Sequence, residues 1–200
     1  MGAIEILGLV GSLSLLAGWR LYAVVLATGL AMRFGLLDLP QHLTALDALA
    51  SCWVIGVAGI GFVAEFFVDK LAWVDSIWDA IHTFIRPIGG ALVALAVVDP
   101  GDPGWQVAAL LVGGGAALLG HSAKTGTRAV VNASPEPFSN VAVSATEDVT
   151  SATGIWLALT HPFAAAAVAA VVLAASVALL VASWRVIRRV RKWSRTRSQL

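Results

Sequence analysis

Four residues that could do chemistry share a helical spacing within residues 65–86, EFFVDKLAWVDSIWDAIHTFIR. Asp75, Asp79, His82 and Arg86 follow one another at offsets of four, three and four residues. At about 100° per residue, these offsets place the four side chains on one narrow stripe of a helix. The two carboxylates could share a divalent cation, or the histidine could take part in a proton or ion relay. The stripe could also simply pair internally, and these interpretations stay open.

A second polar segment, residues 121–140, repeats this spacing with the opposite charge. His121, Thr125, Arg128 and Asn132 again follow offsets of four, three and four. The repeat could be a degenerate internal duplication, as in many transporters, or chance. Lys124 lies four residues before Arg128, so the two cations could clamp an anion. They could equally be the positive charges that keep a segment in the cytoplasm.

Three further charged residues lie within long apolar runs. An arginine near the middle of a membrane costs about 2.5–3.5 kcal/mol on insertion scales, so Arg20 is expected to face the interior and pair with a carboxylate. It could contact an anion, act as a gate or be only structural. Glu147 and Asp148 lie about one turn into a later apolar run. The candidate substrate- or ion-binding residues are therefore Arg20, Asp75, Asp79, His82, Arg86, His121, Lys124, Arg128, Asn132, Glu147 and Asp148.

The charge balance of the two polar segments predicts that they meet. Residues 65–86 are mainly acidic, the first part of residues 121–140 is basic, and unpaired charges near lipid are costly. We expect salt bridges of Asp75 or Asp79 with Lys124, Arg128 or Arg20. Such a cluster would line a polar cavity that faces the cytoplasm.

Composition predicts the class of protein that must position these residues. Of the 200 residues, 58% are hydrophobic and 12% are charged, and the mean hydropathy is +0.85. Soluble domains contain about 25% charged residues. The chain is therefore expected to be an all-α, polytopic membrane protein.

The apolar runs predict a transmembrane bundle of about six spans, with room for broken or re-entrant segments. A spanning helix needs about 20 residues, and the first run is longer than that. It is either one long tilted helix or a helix broken at Gly18. Residues 1–184 form the predicted transmembrane domain and residues 185–200 a basic tail. The expected spans are residues 4–33, 46–64, 81–98, 105–120, 141–160 and 162–184.

Basic residues predict the orientation and the partners. Seven of the thirteen lysines and arginines lie between Arg185 and Arg197, which places this tail in the cytoplasm. Six spans would then place both termini in the cytoplasm, in the inner (plasma) membrane. The expected partners are the lipid bilayer, anionic lipids at the tail and a small solute. No nucleic-acid partner is expected, because Trp184 and Trp193 are typical interface anchors.

Several motifs together resemble a known family. They are GWRLYAVVLATGLAMRFG, DAIHTFIRPIGGAL, HSAKTGTRAVVNASPEPFSN and the following Glu147-Asp148. The chain resembles, from about residue 5 to residue 180, a widespread bacterial family of small multi-pass membrane proteins catalogued as a domain of unknown function. The resemblance implies an integral membrane protein and brings no established substrate, cofactor or catalytic residue.

Three functions remain open from the sequence. The first is a small-solute or ion transporter or channel with its polar site on the cytoplasmic side, because polar stripes in an apolar bundle are functional candidates. The second is a membrane enzyme acting on phosphate-bearing lipids, with magnesium at Asp75 and Asp79 and the phosphate at Lys124 and Arg128. The third is a structural or assembly protein. Outside the enzyme alternative, no cofactor is expected.

Overall fold

The computed structural model of the chain describes residues 3–36, 48–98, 101–132 and 137–197. These residues form helices without any strand, and the all-helical class with about six helices is thereby confirmed. The helices are α1 (Ala3–Arg33), α2 (Cys52–Val68), α3 (Ala72–Leu95), α4 (Pro103–Val131), α5 (Pro137–Thr160) and α6 (Pro162–Arg197).

Three stretches are long and apolar enough to cross a membrane. They are Gly8–Arg33, Pro103–Val131 and Ala167–Arg189. A fourth apolar stretch, Cys52–Val68, is shorter. The described part of the chain therefore has the helices of an integral membrane protein.

Two helices extend further than their hydropathy predicts. α4 continues to Val131, so the first half of the polar segment 121–140 forms the last turns of a helix rather than a separate polar connection. α6 continues to Arg197, into the predicted basic tail. Residues 46–47, at the start of the second expected span, and residues 133–136 lie outside the described residues.

α1 is the central helix of the bundle. It packs against α2, α3, α4, α5 and α6, and it contributes Leu13, Leu16 and Val24 to the fully buried side chains. Its backbone leaves the helical conformation at Arg20, where φ is −141° and ψ is 71°. Of the two forms expected for the first run, the structure has the broken helix, with the break two residues beyond Gly18.

The helices α3, α4 and α5, which pack against the first part of α1, do not all run in the same direction. Sequence numbers rise together along α1 and α4 and run in opposite directions along α1 and α3. The contacts that fix this are Ser14 with Gly113 and Gly18 with Ala117 for α4, and Ser14 with Gly90 and Gly18 with Arg86 for α3. α5 also runs antiparallel to α1, because Gly154 lies against Leu16 and Ser144 lies near Arg20.

α6 runs in the same direction as α1 and α4. Ala169 lies against Gly11 near the start of α1, and Ser183 lies against Gly126 near the end of α4. α2 runs back along the part of α1 that follows the break. Because α1 and α6 run in the same direction, the start of α1 and the end of α6 lie at opposite ends of the bundle.

α3 carries its polar side chains inward and its apolar side chains outward. The exposed stripe consists of Trp73, Ile77, Ile81, Phe84, Ile88 and Leu92. Over these residues a helix rises about 29 Å, close to the roughly 30 Å hydrocarbon thickness of a bilayer. The opposite face carries Asp75, Asp79, His82 and Arg86, all of them buried. α3 therefore has an apolar outer face along most of its length, the reverse of the pattern in a soluble protein.

Gly18 permits the close approach of α1 and α4, and this generates a prediction. A Cβ at Gly18 would overlap the Ala117 carbonyl oxygen and lie 2.8 Å from the His121 backbone nitrogen. Neither backbone atom can move aside as a side chain could. Gly18→Ala should therefore lower the free energy of unfolding in detergent by about 1–3 kcal/mol.

Gly115 provides the matched control. It also lies within a helix, but a Cβ there would meet no atom within 4 Å. Gly115→Ala should be neutral or stabilising by up to about 1 kcal/mol, because alanine is the better helix former. Equal effects of the two substitutions in chemical denaturation would contradict the packing described for α1 and α4.

Candidate functional site

A group of charged side chains is buried inside the bundle at the level of the break in α1. We call it the charge network. Its residues come from α1, the end of α2 and the following turn, α3, the last turns of α4, and α5. Its buried members are Arg20, Glu65, Asp69, Asp75, Asp79, Arg86, Lys124, Arg128 and Glu147. Lys70 and Asp148 extend it to the edge of the bundle, where they lie 3.5 Å apart and are partly exposed.

Arg20 joins the break in α1 to two other parts of the chain. Its Nη1 lies 2.6 Å from Asp69 Oδ2, and its Nη2 lies 2.6 Å from Asp148 Oδ1. Nη2 also donates to the Ser144 carbonyl oxygen at 3.4 Å and lies 3.9 Å from Glu147 Oε2. The predicted pairing of Arg20 with a carboxylate is thus present, and its side chain is 2% exposed.

Two buried cations lie at the carbonyl groups next to the break. The Gly18 carbonyl oxygen accepts from Arg86 Nη1 at 3.2 Å, and the Trp19 carbonyl oxygen accepts from Lys124 Nζ at 3.5 Å. A helix end leaves its last carbonyls without partners inside the helix, and the partial negative charge there favours cations. Arg86 and Lys124 therefore stabilise the broken conformation of α1.

Arg86 connects α2, α3 and α4. Its Nη2 donates to Glu65 Oε1 at 2.6 Å, and its Nη1 lies 3.3 Å from Asp79 Oδ1. Nη1 also lies 2.9 Å from His121 Nδ1. Because a guanidinium group only donates, His121 Nδ1 must accept, and the ring proton is therefore assigned to Nε2. Nε2 can then donate to Thr83 Oγ1 at 3.1 Å, which makes His121 a neutral member of the network.

Asp69 is the carboxylate that the cations surround. It lies in the turn between α2 and α3 and pairs with Lys124 at 2.8 Å in addition to Arg20. Burial on its own raises the pKa of the Asp69 carboxyl, but the neighbouring Lys124, Arg20 and Arg128 outweigh burial and lower the pKa to about 2. Asp69 is therefore ionised at neutral pH.

Arg128 binds the start of α5 to the turn between α2 and α3. It donates to Glu147 Oε2 at 2.7 Å, to Asn140 Oδ1 at 2.6 Å and to the Asp69 carbonyl oxygen at 2.9 Å. Asn140 also donates to that carbonyl oxygen at 3.3 Å. These bonds hold α4 and α5 together across the polar segment. The three that Arg128 donates are charge-assisted and therefore stronger than bonds between neutral groups.

Asp75 is the most weakly paired carboxylate. Asn132 Nδ2 donates to its Oδ2 at 3.0 Å, and the nearest cationic atom, Arg128 Nε, is 4.0 Å away. The other oxygen, Oδ1, is buried and has no hydrogen-bond partner. The side chain is 0% exposed.

The two polar segments meet as predicted. Asp75 lies 4.0 Å from Arg128, and Asp79 lies 4.0 Å from Lys124. The structure brings all but one of the candidate site residues into the network: Arg20, Asp75, Asp79, Arg86, His121, Lys124, Arg128, Asn132, Glu147 and Asp148.

His82 is the candidate that lies to one side. Its Nδ1 donates to the Trp78 carbonyl oxygen at 2.8 Å, so its Nε2 accepts from the Tyr22 hydroxyl at 2.9 Å. The ring stacks on Trp78 with 4.2 Å between centroids. His82 therefore packs with aromatic side chains beside the network. Within the described residues it forms no salt bridge with a member of the network.

The prediction of site residues missed Glu65, Asp69 and Asn140. Glu65 and Asp69 are four residues apart at the end of an apolar helix, and this spacing is the signal that could have identified them. Asn140 ends the motif NASPEPFSN and carries no such local signal.

Asp75 and Asp79, which would hold magnesium in the enzyme alternative, lie beside cationic side chains. Asp79 lies 3.3 Å from Arg86, and Asp75 lies 4.0 Å from Arg128. In the described part of the chain, no group of three or more histidine, cysteine or acidic side chains is arranged to hold a metal ion.

Comparisons with known proteins place the chain in a family. No curated protein and no solved structure matches it. The sequence model of the family described as "Domain of unknown function (DUF4126)" matches residues 7–182. The match spans most of the chain and includes every residue of the charge network, and it confirms the resemblance to a family of unknown function. The chain belongs to the DUF4126 family.

Proposed function

We propose that the chain is a membrane transporter or channel for a small solute or ion, and that the charge network is its binding site or gate. The observation that carries this proposal is the burial of nine charged side chains within a bundle whose outer surface is apolar. Charged groups are expensive inside a membrane and are usually retained for function. A scaffold could be stabilised with apolar packing alone.

The broken central helix supports the same function. Transporters bind ions and substrates at discontinuous helices, where backbone groups freed by the break lie beside charged side chains. The break at Arg20 lies within the candidate span Gly8–Arg33, and the carbonyls of Gly18 and Trp19 contact cations there. A helix with such a break can also change its shape at one residue, which suits a gate.

We propose an orientation in the plasma membrane with the basic end of α6 in the cytoplasm. Arg185, Arg188 and Arg189 are exposed there, and Arg188 lies over the Trp184 ring, so this end could contact anionic lipids. The charge network is near this end, which makes its site cytoplasmic. Because α1 and α6 run in the same direction, the start of α1 then lies on the other side. In this proposal the two termini lie on opposite sides of the membrane, which differs from the expectation of two cytoplasmic termini.

The geometry favours transport over the enzyme alternative. An enzyme acting on phosphate-bearing lipids would need Lys124 and Arg128 free for phosphate. Both are buried and lie 2.8 Å and 2.7 Å from carboxylate oxygens. A structural or assembly role would use the same ion pairs without moving any solute or ion. A flux measurement therefore distinguishes transport from a structural role.

Reconstitution tests the proposed function. The full chain, placed in vesicles of phosphatidylethanolamine and phosphatidylglycerol, should dissipate an imposed gradient of at least one ion among protons, sodium, potassium and chloride. Fluorescent indicators inside the vesicles report each flux. Arg20→Gln should reduce the flux at least about tenfold, because the loss of an interaction of about 1.4 kcal/mol has that effect.

The control is Arg189→Gln, which changes an exposed arginine of α6 and should leave the flux unchanged. Vesicles that remain as tight as empty ones toward every ion and toward a panel of small solutes would contradict the proposal and favour a structural role.

Cysteine labelling tests the orientation. After Cys52→Ser, single cysteines are placed at Ala3, Asp102 and Arg189, and intact cells are treated with a membrane-impermeant maleimide. We expect Ala3→Cys and Asp102→Cys to react in intact cells, because the starts of α1 and α4 lie at the same end of the bundle. Arg189→Cys should react only after permeabilisation. Protection of Ala3→Cys together with Arg189→Cys would show both ends in the cytoplasm.

A further inference from the structure

The buried charges of the network do not cancel. Its buried members in the described chain comprise five carboxylates and four cations. His121 adds no charge, because Arg86 fixes its Nδ1 as an acceptor. Lys70 and Asp148, at the edge, add one charge of each sign and so leave the difference unchanged, although Asp148 pairs with Arg20 as well as with Lys70. If every acidic group were ionised, the network would keep one uncompensated negative charge in a low-dielectric interior, which is strongly unfavourable.

The distances identify the carboxylate in excess. Each of the other four has a cationic nitrogen within 3.3 Å: Glu65 and Asp79 have Arg86, Asp69 has Arg20, and Glu147 has Arg128. Asp75 has none closer than 4.0 Å. A buried oxygen without a hydrogen-bond partner is common to Glu65, Asp69, Asp75 and Asp79, so the distance to a cation is what distinguishes Asp75. Asp75 is thus the group where the missing positive charge is needed.

The surroundings of Asp75 disfavour its ionised form. From α4 it faces the Arg128 guanidinium group and the Asn132 amide. From its own helix and from the preceding turn, the carboxylates of Asp79 and Asp69 act on it. Arg128 is already shared with Glu147 and Asp69, so its charge is distributed among three acidic side chains. The two neighbouring anions repel an ionised Asp75, and the shared Arg128 does not supply enough positive charge to offset this repulsion and the burial of the carboxylate.

Asp75 also has a short polar connection to the surface. The Asn132 amide that donates to Asp75 lies 3.3 Å from the Ser76 hydroxyl oxygen, and Ser76 is exposed. Both lie at the end of the bundle where α3 begins and α4 ends. The Asn132 amide donates in both contacts, so it connects the buried carboxyl to the exposed end of the bundle but does not itself relay a proton.

We propose that Asp75 carries an exchangeable proton, and that this proton is the coupling or transported ion. The role as coupling or transported ion rests on the transport function proposed above. Uptake forms one O–H bond on the Asp75 carboxylate with a proton taken from water at the Ser76 end, and release returns it. No redox step or other reactant is needed. In the protonated form the four cations and the four remaining carboxylates balance.

Infrared spectroscopy of the purified full chain in detergent tests the proton site. A protonated carboxyl group has a C=O stretching band that the carboxylate lacks. We expect a single such band at pH ~5 that disappears as the pH is raised through ~8. Asp75→Asn should lack the band. Asp102→Asn, the matched control at an exposed aspartate outside the network, should retain it.

Labelling keeps the test valid if Asp75→Asn fails to fold. In the unmodified chain, carbon-13 in the aspartate carboxyl groups should shift the band, and the same label in glutamate should not. A chain without any titrating carboxyl band, a band that persists in Asp75→Asn, or a band shifted by the glutamate label would each overturn the proposal. So would a chain that lacks the band and is stabilised by sodium chloride at constant pH, because a metal cation would then supply the charge.

The outcomes separate this inference from the proposed function. A titrating band at Asp75 without any flux in vesicles would support the proton site and refute transport, and with it the coupling role. Flux of another ion without a band at Asp75 would refute the proton site and leave transport standing. Proton flux that Asp75→Asn abolishes, together with the loss of the band, would support both.

Discussion

The structure depends on the mutual compensation of charges that lie far from water. Four buried cations each lie 2.6–2.8 Å from a carboxylate of another helix or turn: Arg20, Arg86, Lys124 and Arg128. Inside a membrane protein such charges cannot be left to solvent, so each determines where its partner's helix must lie. The ends of α2 and α4 and the starts of α3 and α5 are held at one level by this requirement.

The break in α1 follows from the same compensation. A break within a spanning helix exposes backbone carbonyls that lipid cannot satisfy. Here the carbonyls of Gly18 and Trp19 accept hydrogen bonds from Arg86 and Lys124, whose charges are balanced by Glu65 and Asp69. The irregular backbone and the buried cations therefore stabilise each other, and neither would be expected to persist alone.

Local periodicity was sufficient to predict the inward stripe of α3, because offsets of three and four residues determine which side chains share a helical face. It was not sufficient to predict that α4 continues to Val131. Hydropathy assigns Lys124 and Arg128 to a polar connection, whereas their partners, Asp69 and Glu147, come from other elements of the bundle. Glu65 and Asp69 were not identified as site residues because their partners, Arg86 and Lys124, are also far away in the sequence.

The coupling between Glu65 and Arg86 tests this account most directly. A double-mutant cycle with Glu65→Gln and Arg86→Met measures it through reversible unfolding in detergent. We predict a loss of about 3–5 kcal/mol for each single substitution, since each leaves a buried charge unpaired, and a coupling energy of about 1–3 kcal/mol. Effects that add to within about 0.5 kcal/mol would contradict the account, because the two side chains would then act independently.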